Sequence, residues 1–189
     1  MTREGRGDPD VTTGPEDAAV VARVLGGEVE AFGLLIRRYE PELLRCATRL
    51  LGSADNAADA VAEGFVRAFR HLASCRDPRH VRAWLYRIVL NRCKTRLARP
   101  GPEVPLEDAP PIAARDDPAA ELERSEEMAR VQRALGTLSR LLREAFVLRH
   151  VEGLSYDEMA AATGVGVPTL RVRVQRAREA LIAALEEEA

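Results

Sequence analysis

The stretch Gly153–Arg178, GLSYDEMAAATGVGVPTLRVRVQRAR, decides the fold. Ser155 stands three residues before Glu158, the spacing of a capping box in which each residue satisfies a free N–H of the other at a helix start. The run from Tyr156 to Thr163 is predicted to be a short helix closed at Gly164, a residue that tolerates the left-handed conformation of helix ends. After Val165-Gly166-Val167 a second helix is predicted, with Pro168 or Thr169 in its first turn. A short helix, a glycine-containing turn and a second helix have helix-turn-helix spacing.

The second helix sorts by face. Leu170, Val174, Ala177 and Leu181 recur at steps of four, three and four and are the expected core stripe. Arg171, Val172, Arg173, Gln175, Arg176 and Arg178 take the other faces, with four arginines in the last eight residues of the stretch. An α-helix fits the major groove of duplex DNA, and arginines reach both phosphates and guanine edges. A plain solvated helix end is the alternative, since arginine also suits the negative end of the helix dipole. The cap, the turn and the arginines together favour DNA. One such unit binds modestly, so a second DNA contact or a partner is expected.

The upstream sequence supplies a candidate for that contact. From Phe65 to Arg99 there are ten Arg or Lys and one acid, Asp77, although the whole chain has a formal net charge of -2. Charge distribution, not its sum, sets what docks where. VRAWLYRIVLNRCKTRLAR reads as a helix in which Val81, Trp84, Leu85, Ile88, Val89 and Leu97 bury while Arg87, Asn91, Lys94 and Arg96 face outward. Aromatic rings among cations hold unpaired bases by stacking. The competing reading makes Trp84 a core residue.

Two further helices precede it. VEAFGLLIRRYEPELLRCATRLLG places Phe32, Leu35, Ile36, Tyr39, Leu43, Leu44, Ala47 and Leu50 on one stripe, with Pro41 in a first turn or at a kink and Gly52-Ser53 as the stop. ADNAADAVAEGFVRAFRHLAS buries Val61, Phe65, Ala68, Phe69 and Leu72, and sets Asp55, Asp59 and Glu63 at i, i+4 and i+8 on another face. A helical pattern also begins at Glu16, and the turn CRDPRH is marked by Pro78.

Between Pro100 and Glu127 the balance reverses, with nine acids and two Arg. RPGPEVPLEDAPPIAARDDPAA contains six prolines and no period, the mark of an extended linker. Beyond it, Leu122, Met128, Val131, Leu135 and Leu138 form one helical stripe, and Leu141, Leu142, Ala145, Phe146 and Leu148 another. The predicted fold is therefore all-α: a disordered tail over 1–15, a helical domain over 16–98, a linker over 99–120 and a second helical domain over 121–187.

The chain has 189 residues, 46 % of them hydrophobic but only 4 % aromatic, so the cores are expected to be aliphatic. No apolar run approaches a membrane span, and the N-terminus has no apolar signal region. Three cysteines with no CxxC pair fit reduced thiols in a cytoplasmic protein. His71 and Cys75 lie one turn apart and Cys93 could approach them, but helix packing accounts for them more simply than a metal. With no phosphate-cradling loop and no nucleophile motif, neither enzymatic activity nor a cofactor is expected.

These segments, in this order, resemble the sigma-70 class of bacterial sigma factors, specifically the small two-domain extracytoplasmic function group. The resemblance runs from about Glu16 to Leu185, apart from the linker. DAAVVARVLGGEVEAFGLLIRRYEPELLR looks like the start of the family's domain two, and ADNAADAVAEGFVRAFRHL like its core-polymerase-binding helix. VRAWLYRIVLNRCKTRL resembles the segment that reads and melts the −10 element. LREAFVLRHVEGLSYDEMAAATGVGVPTLRVRVQRARE resembles domain four, which reads the −35 element.

The resemblance implies that Asp55, Asp59, Glu63 and Phe65 face the polymerase core. It implies that Arg82, Trp84, Arg87, Asn91 and Arg96 lie near the −10 strand, with the turn from Ser74 to Arg82 receiving a flipped base. Thr169, Arg171, Arg173, Gln175, Arg176 and Arg178 are the implied −35 contacts. Implied partners are bacterial RNA polymerase core, promoter DNA and an anti-sigma factor, without membrane insertion. The acidic linker, with Glu107, Asp108, Asp116 and Asp117, is expected to thread the polymerase. The chain departs from the family at Ala62-Glu63-Gly64, where Gln-Glu-Thr is frequent, at Cys75 and Val81, where aromatics are common, and at Val172, where a serine is usual. Gly64 is expected to weaken its helix by about 1 kcal/mol relative to Ala. A helix-turn-helix regulator acting without polymerase is the alternative function, and an interaction protein without promoter binding is a third.

Overall fold

The computed structural model describes residues 15–98 and 130–187, and no strand forms among them. The N-terminal module contains α1 (Pro15–Leu25), a 3-10 turn at Val29–Ala31, α2 (Phe32–Leu51) and α3 (Ala54–Arg70). Two further 3-10 turns, Leu72–Ser74 and Pro78–His80, lead into α4 (Val81–Leu97). The C-terminal module contains α5 (residues 130–137) and α6 (Arg140–Phe146), which runs into a π turn at Val147–Val151. It ends with α7 (Tyr156–Thr163) and α8 (Val167–Glu187). Of the tail expected over 1–15, Pro15 instead opens α1, while residues 1–14, the linker over 99–120 and the stripe positions Leu122 and Met128 lie outside the described residues.

Local chemistry accounts for several boundaries. Gly52 ends α2 at φ 69°, with its N–H donating to the Thr48 carbonyl. The left-handed conformation there suits glycine because it has no Cβ. Ser53 then caps α3, its Oγ accepting the Asn56 N–H at 3.3 Å. Pro41 falls in mid-helix and not in a first turn, and α2 continues on both sides of it.

The apolar stripes meet where α2, α3 and α4 pack together. Phe32 meets Phe65 and Phe69 edge-on, with ring centroids 6.4 and 5.2 Å away, a favourable aromatic geometry. Gly64 faces α4 so closely that a Cβ there would lie 2.7 Å from Val89 Cγ2. The residue that departs from the family thus lets two helices approach. α1 is tied to α2 by polar contacts: the fully buried Asp17 accepts from Tyr39 Oη and pairs with Arg38. In the C-terminal module α8 packs on α6 and α7, and Leu170, Val174, Ala177 and Leu181 are buried as their spacing requires.

Some stripe positions differ from expectation. Leu44, Phe69, Val131 and Leu141 were expected to bury, but they are exposed, Leu141 by 52 %. Leu44 and Phe69 lie at the edge of their stripes, where a pattern drawn from spacing is widest. The opposite happens on α4. Arg82, Ala83, Tyr86, Leu90 and Cys93 are buried in addition to the predicted stripe, while Trp84, Ile88 and Leu97 are only half-buried. The cause is tertiary: α4 packs on α2 and α3 and also on α7 of the other module.

Candidate nucleic-acid and polymerase interface

The helix-turn-helix forms as its sequence dictates. Ser155 Oγ accepts the Glu158 N–H at 3.2 Å, and Glu158 Oε2 accepts the Ser155 N–H at 2.8 Å, which completes the capping box. Gly164 turns the chain at φ 75°. Thr163 Oγ1 accepts the Val165 N–H at 3.2 Å, and the Leu170 N–H donates to the Gly166 carbonyl at 3.1 Å. With the core stripe of α8 facing inward, Thr169, Arg171, Gln175, Arg176 and Arg178 are exposed and Arg173 is half-buried. No ion pair among the described residues involves these four arginines. Their charge is therefore available to an anion such as a phosphate backbone. Gln175 donates to Glu179 Oε1 at 3.0 Å, which turns its amide along the helix.

The acidic face of α3 forms and takes a partner from α4. Arg96 reaches Glu63 through two hydrogen bonds of 3.0 and 3.2 Å, and Asp59 at 3.4 Å. Two polymerase candidates and one −10 candidate therefore share one cluster, while Asp55 is exposed in the first turn of α3. Phe65 is 6 % exposed and packs inward, whereas Val66 and Phe69 present apolar surface. Helical spacing missed this exposure because Phe65 and Phe69, four residues apart, belong to one stripe.

The −10 candidates on α4 divide between two surroundings. Arg87 and Asn91 are exposed one turn apart. Trp84 is half-buried and packed on the core. Before them, Asp77 organises the turn: it accepts from the Arg79 backbone N–H at 3.1 Å, from Arg79 Nε and Nη2 at 3.0 Å each, and pairs with His80 Nδ1 at 3.0 Å. The Arg79 hydrogen bonds above all, with His80 adding to them, hold the Asp77 carboxyl well below the usual carboxylate range.

Arg82 lies between the modules and is 3 % exposed. Its Nε and Nη2 donate to the two Glu42 oxygens at 3.0 Å each, and Nη2 also donates to the Glu152 carbonyl at 2.9 Å. Nη1 lies 3.6 Å from Glu158 of α7. Burial by itself lowers a guanidinium pKa, but the Glu42 carboxylate outweighs it and Arg82 is raised overall. One turn along α4, Tyr86 Oη donates to Glu152 Oε2 at 3.2 Å. Arg45 and Arg49 approach the same carboxylate at 4.0 and 3.8 Å, and Lys94 pairs with Glu144 at 3.2 Å. The Glu152 side chain is 1 % exposed and its Oε1 has no hydrogen bond among the described residues. Burial raises its pKa, against the pull of Arg45 and Arg49. Sequence reading missed Glu42, Tyr86 and Glu152 because their partners are 40 to 70 residues away in the chain.

The three cysteines are free and buried. Burial pushes the Cys75 thiol up to about 11 and Cys93 to about 12, and Cys46 lies well above its usual value for the same reason. Among the described residues no group of three His, Cys, Asp or Glu could hold a metal ion, and no helix is long and apolar enough to cross a membrane.

A capped helix-turn-helix with an arginine face, joined to a helical module with a basic α4 and an acidic α3, has the make-up of the helix-turn-helix class of DNA-binding proteins. Family models give it its particular identity: sigma-70 region 2 matches residues 35–101, and sigma-70 region 4 matches residues 128–181. The chain is 36 % identical over 176 residues to the ECF RNA polymerase sigma-E factor of Escherichia coli K12, covering 87 % of this chain and 92 % of that one. It is also similar to the solved structure of CnrH in complex with the cytosolic domain of CnrY, with a TM-score of 0.70, 32 % identity and coverage of 92 % of this chain and 99 % of that chain. The sigma factor RpoE in complex with the anti-sigma factor NepR, from Bartonella quintana, superposes with a TM-score of 0.66 at 27 % identity over 83 % of this chain and 98 % of that one. The chain belongs to the extracytoplasmic function group of the sigma-70 family: it is an RNA polymerase sigma factor that serves promoter recognition and is not an enzyme.

Proposed function

We propose a division of labour within this sigma factor. Residues 16–98 dock on core polymerase through Asp55, Asp59 and Glu63 of α3, with Phe65 fixing that helix from behind. The same module captures unpaired −10 bases along Arg82, Trp84, Arg87, Asn91 and Arg96. Capture offsets the cost of unstacking a base, a few kcal/mol per step. Residues 121–187 place α8 in the −35 major groove through Thr169, Arg171, Arg173, Gln175, Arg176 and Arg178. Residues 99–120 join the two. Arg82 exchanges its carboxylate partners for promoter DNA when the −10 strand is engaged.

The observation that supports this reading best is α8 itself, whose arginines have no ion-pair partner among the described residues, beside a buried apolar stripe. An anti-sigma partner is inferred from the similarity to RpoE, which was solved with one. A cytoplasmic location is part of the same proposal, because a sigma factor acts where polymerase and promoter DNA are. Run-off transcription on pooled promoter fragments, with purified bacterial core polymerase, tests the whole. Discrete new starts that require this chain and vanish with Arg171→Ala and Arg173→Ala are expected. Duplex binding with no polymerase-dependent initiation would refute the division.

A further inference from the structure

Tyr156 is the first residue of α7 and has no role in the reading above. Two guanidiniums lie on its ring, those of Arg149 and Arg171, each 5.1 Å from the centroid. The three residues come from three different elements: the π turn, α7 and α8. The platform is fixed from below. The capping box at Ser155 and Glu158 sets the first turn of α7, the ring packs against the core, and Arg149 Nη1 donates to the Leu154 carbonyl at 2.9 Å. Arg171 follows Leu170, which is 1 % exposed, so its backbone is anchored while its side chain extends into solvent.

Stacking and base reading use different parts of a guanidinium. The π face meets an aromatic ring, while the N–H donors lie in the guanidinium plane and point outward from its edge. An arginine that pairs with guanine O6 and N7 uses that edge. Arg171 can therefore rest on Tyr156 and keep its donors for DNA. An unsupported arginine loses rotamer freedom when it is fixed on a base, and one already held by a ring loses less.

We propose that Tyr156 is a positioning residue for promoter discrimination: its ring pre-orients Arg171 to read a base edge in the upstream element. The inference rests on the assignment of α8 to the major groove.

The test uses holoenzyme reconstituted from the full chain and bacterial core polymerase, with a promoter found by run-off whose upstream element is randomised. Sequences retained by wild type, Y156F, Y156L, R171A and R171K are compared at several salt concentrations. Wild type is expected to prefer a base pair at one position that R171A no longer distinguishes. Y156L is expected to lose about two- to fivefold of the discrimination at that same position, the range for an exposed cation–π contact. Its other positions and its salt slope stay unchanged, and Y156F keeps the wild-type preference. R171K keeps the charge without the two-donor edge, so it should lose the same preference with the salt slope unchanged.

Full discrimination in Y156L would overturn the inference. So would equal losses in Y156F and Y156L, which would assign the effect to the hydroxyl. A uniform loss across all sequences with a shallower salt slope would mean that the ring holds Arg149 or Arg171 on a phosphate and not on a base edge, which overturns the inference. A wild-type holoenzyme that selects no upstream sequence would overturn the α8 assignment first, and the inference with it.

Discussion

Gly64→Ala tests the closest approach between α3 and α4. Helix propensity alone favours alanine by about 1 kcal/mol. The structure opposes that gain, because the new Cβ would lie 2.7 Å from Val89 Cγ2 and 3.7 Å from Val89 Cα and Cβ. Valine is stiff in a helix, with one strongly preferred rotamer, so the methyl cannot swing away. Overpacking of this kind costs about 1–3 kcal/mol. The net expectation is a destabilisation of about 0–2 kcal/mol in a position where propensity predicts the reverse. Val89→Ala should cost about 2 kcal/mol on its own, from two lost methyl groups and the space they leave. In the double variant the alanine at 64 enters that space. The pair should therefore be more stable than the sum of the single changes by about 1 kcal/mol or more. Urea unfolding followed by the fluorescence of Trp84, the sole tryptophan, reads all four proteins. A stabilised Gly64→Ala together with strict additivity would refute the packing argument.

The same approach applies to the contact between the modules. Arg82→Ala should destabilise by about 3 kcal/mol, since it leaves the Glu42 carboxylate unpaired in a largely buried site. Adding Glu42→Ala should then cost little more, and a four-protein unfolding cycle reads the coupling. Glu152 predicts a pH effect: its folded pKa lies above its ordinary value, so the folded state holds a proton that the unfolded state has released. The resulting stabilisation is complete below the ordinary carboxylate range and is lost as pH rises through the raised value. Glu152→Gln, which still accepts from Tyr86, should remove that fall, as the difference between the two stability–pH curves will reveal. Finally, Cys46, Cys75 and Cys93 are buried with raised thiol pKa values, so native protein near pH 7.5 should resist iodoacetamide. Mass spectrometry should find full labelling only after denaturation, and rapid native labelling of any of the three would contradict the packing.

Residues whose determinants lie within a turn or two of helix were legible in the sequence. The Ser155–Glu158 box, the stop at Gly164 and the α8 stripe depend on partners three or four positions away, and all formed as read. The arginine face of α8 follows directly, because a helix that buries one stripe must present the rest. The i, i+4, i+8 acids of α3 were equally readable as a face. That Arg96 would cross from α4 to occupy two of them was not.

The surroundings of α4 belong to tertiary structure alone. Its own sequence marks Arg82 as a polar residue in a basic segment. Its burial is set by Glu42 on α2 and by Glu152 and Glu158 in the other module. The role of Gly64 was hidden for the same reason: helix propensity is a property of one position, whereas the 2.7 Å limit is set by Val89 on a neighbouring helix. Sequence alone determined the helices, their caps and the charged face of α8, because backbone hydrogen bonds and side-chain spacing act over three to four residues. Only the tertiary structure decided which face of α4 is covered and which carboxylates Arg82 meets, because desolvation and ion pairing depend on groups that folding brings together from distant parts of the chain.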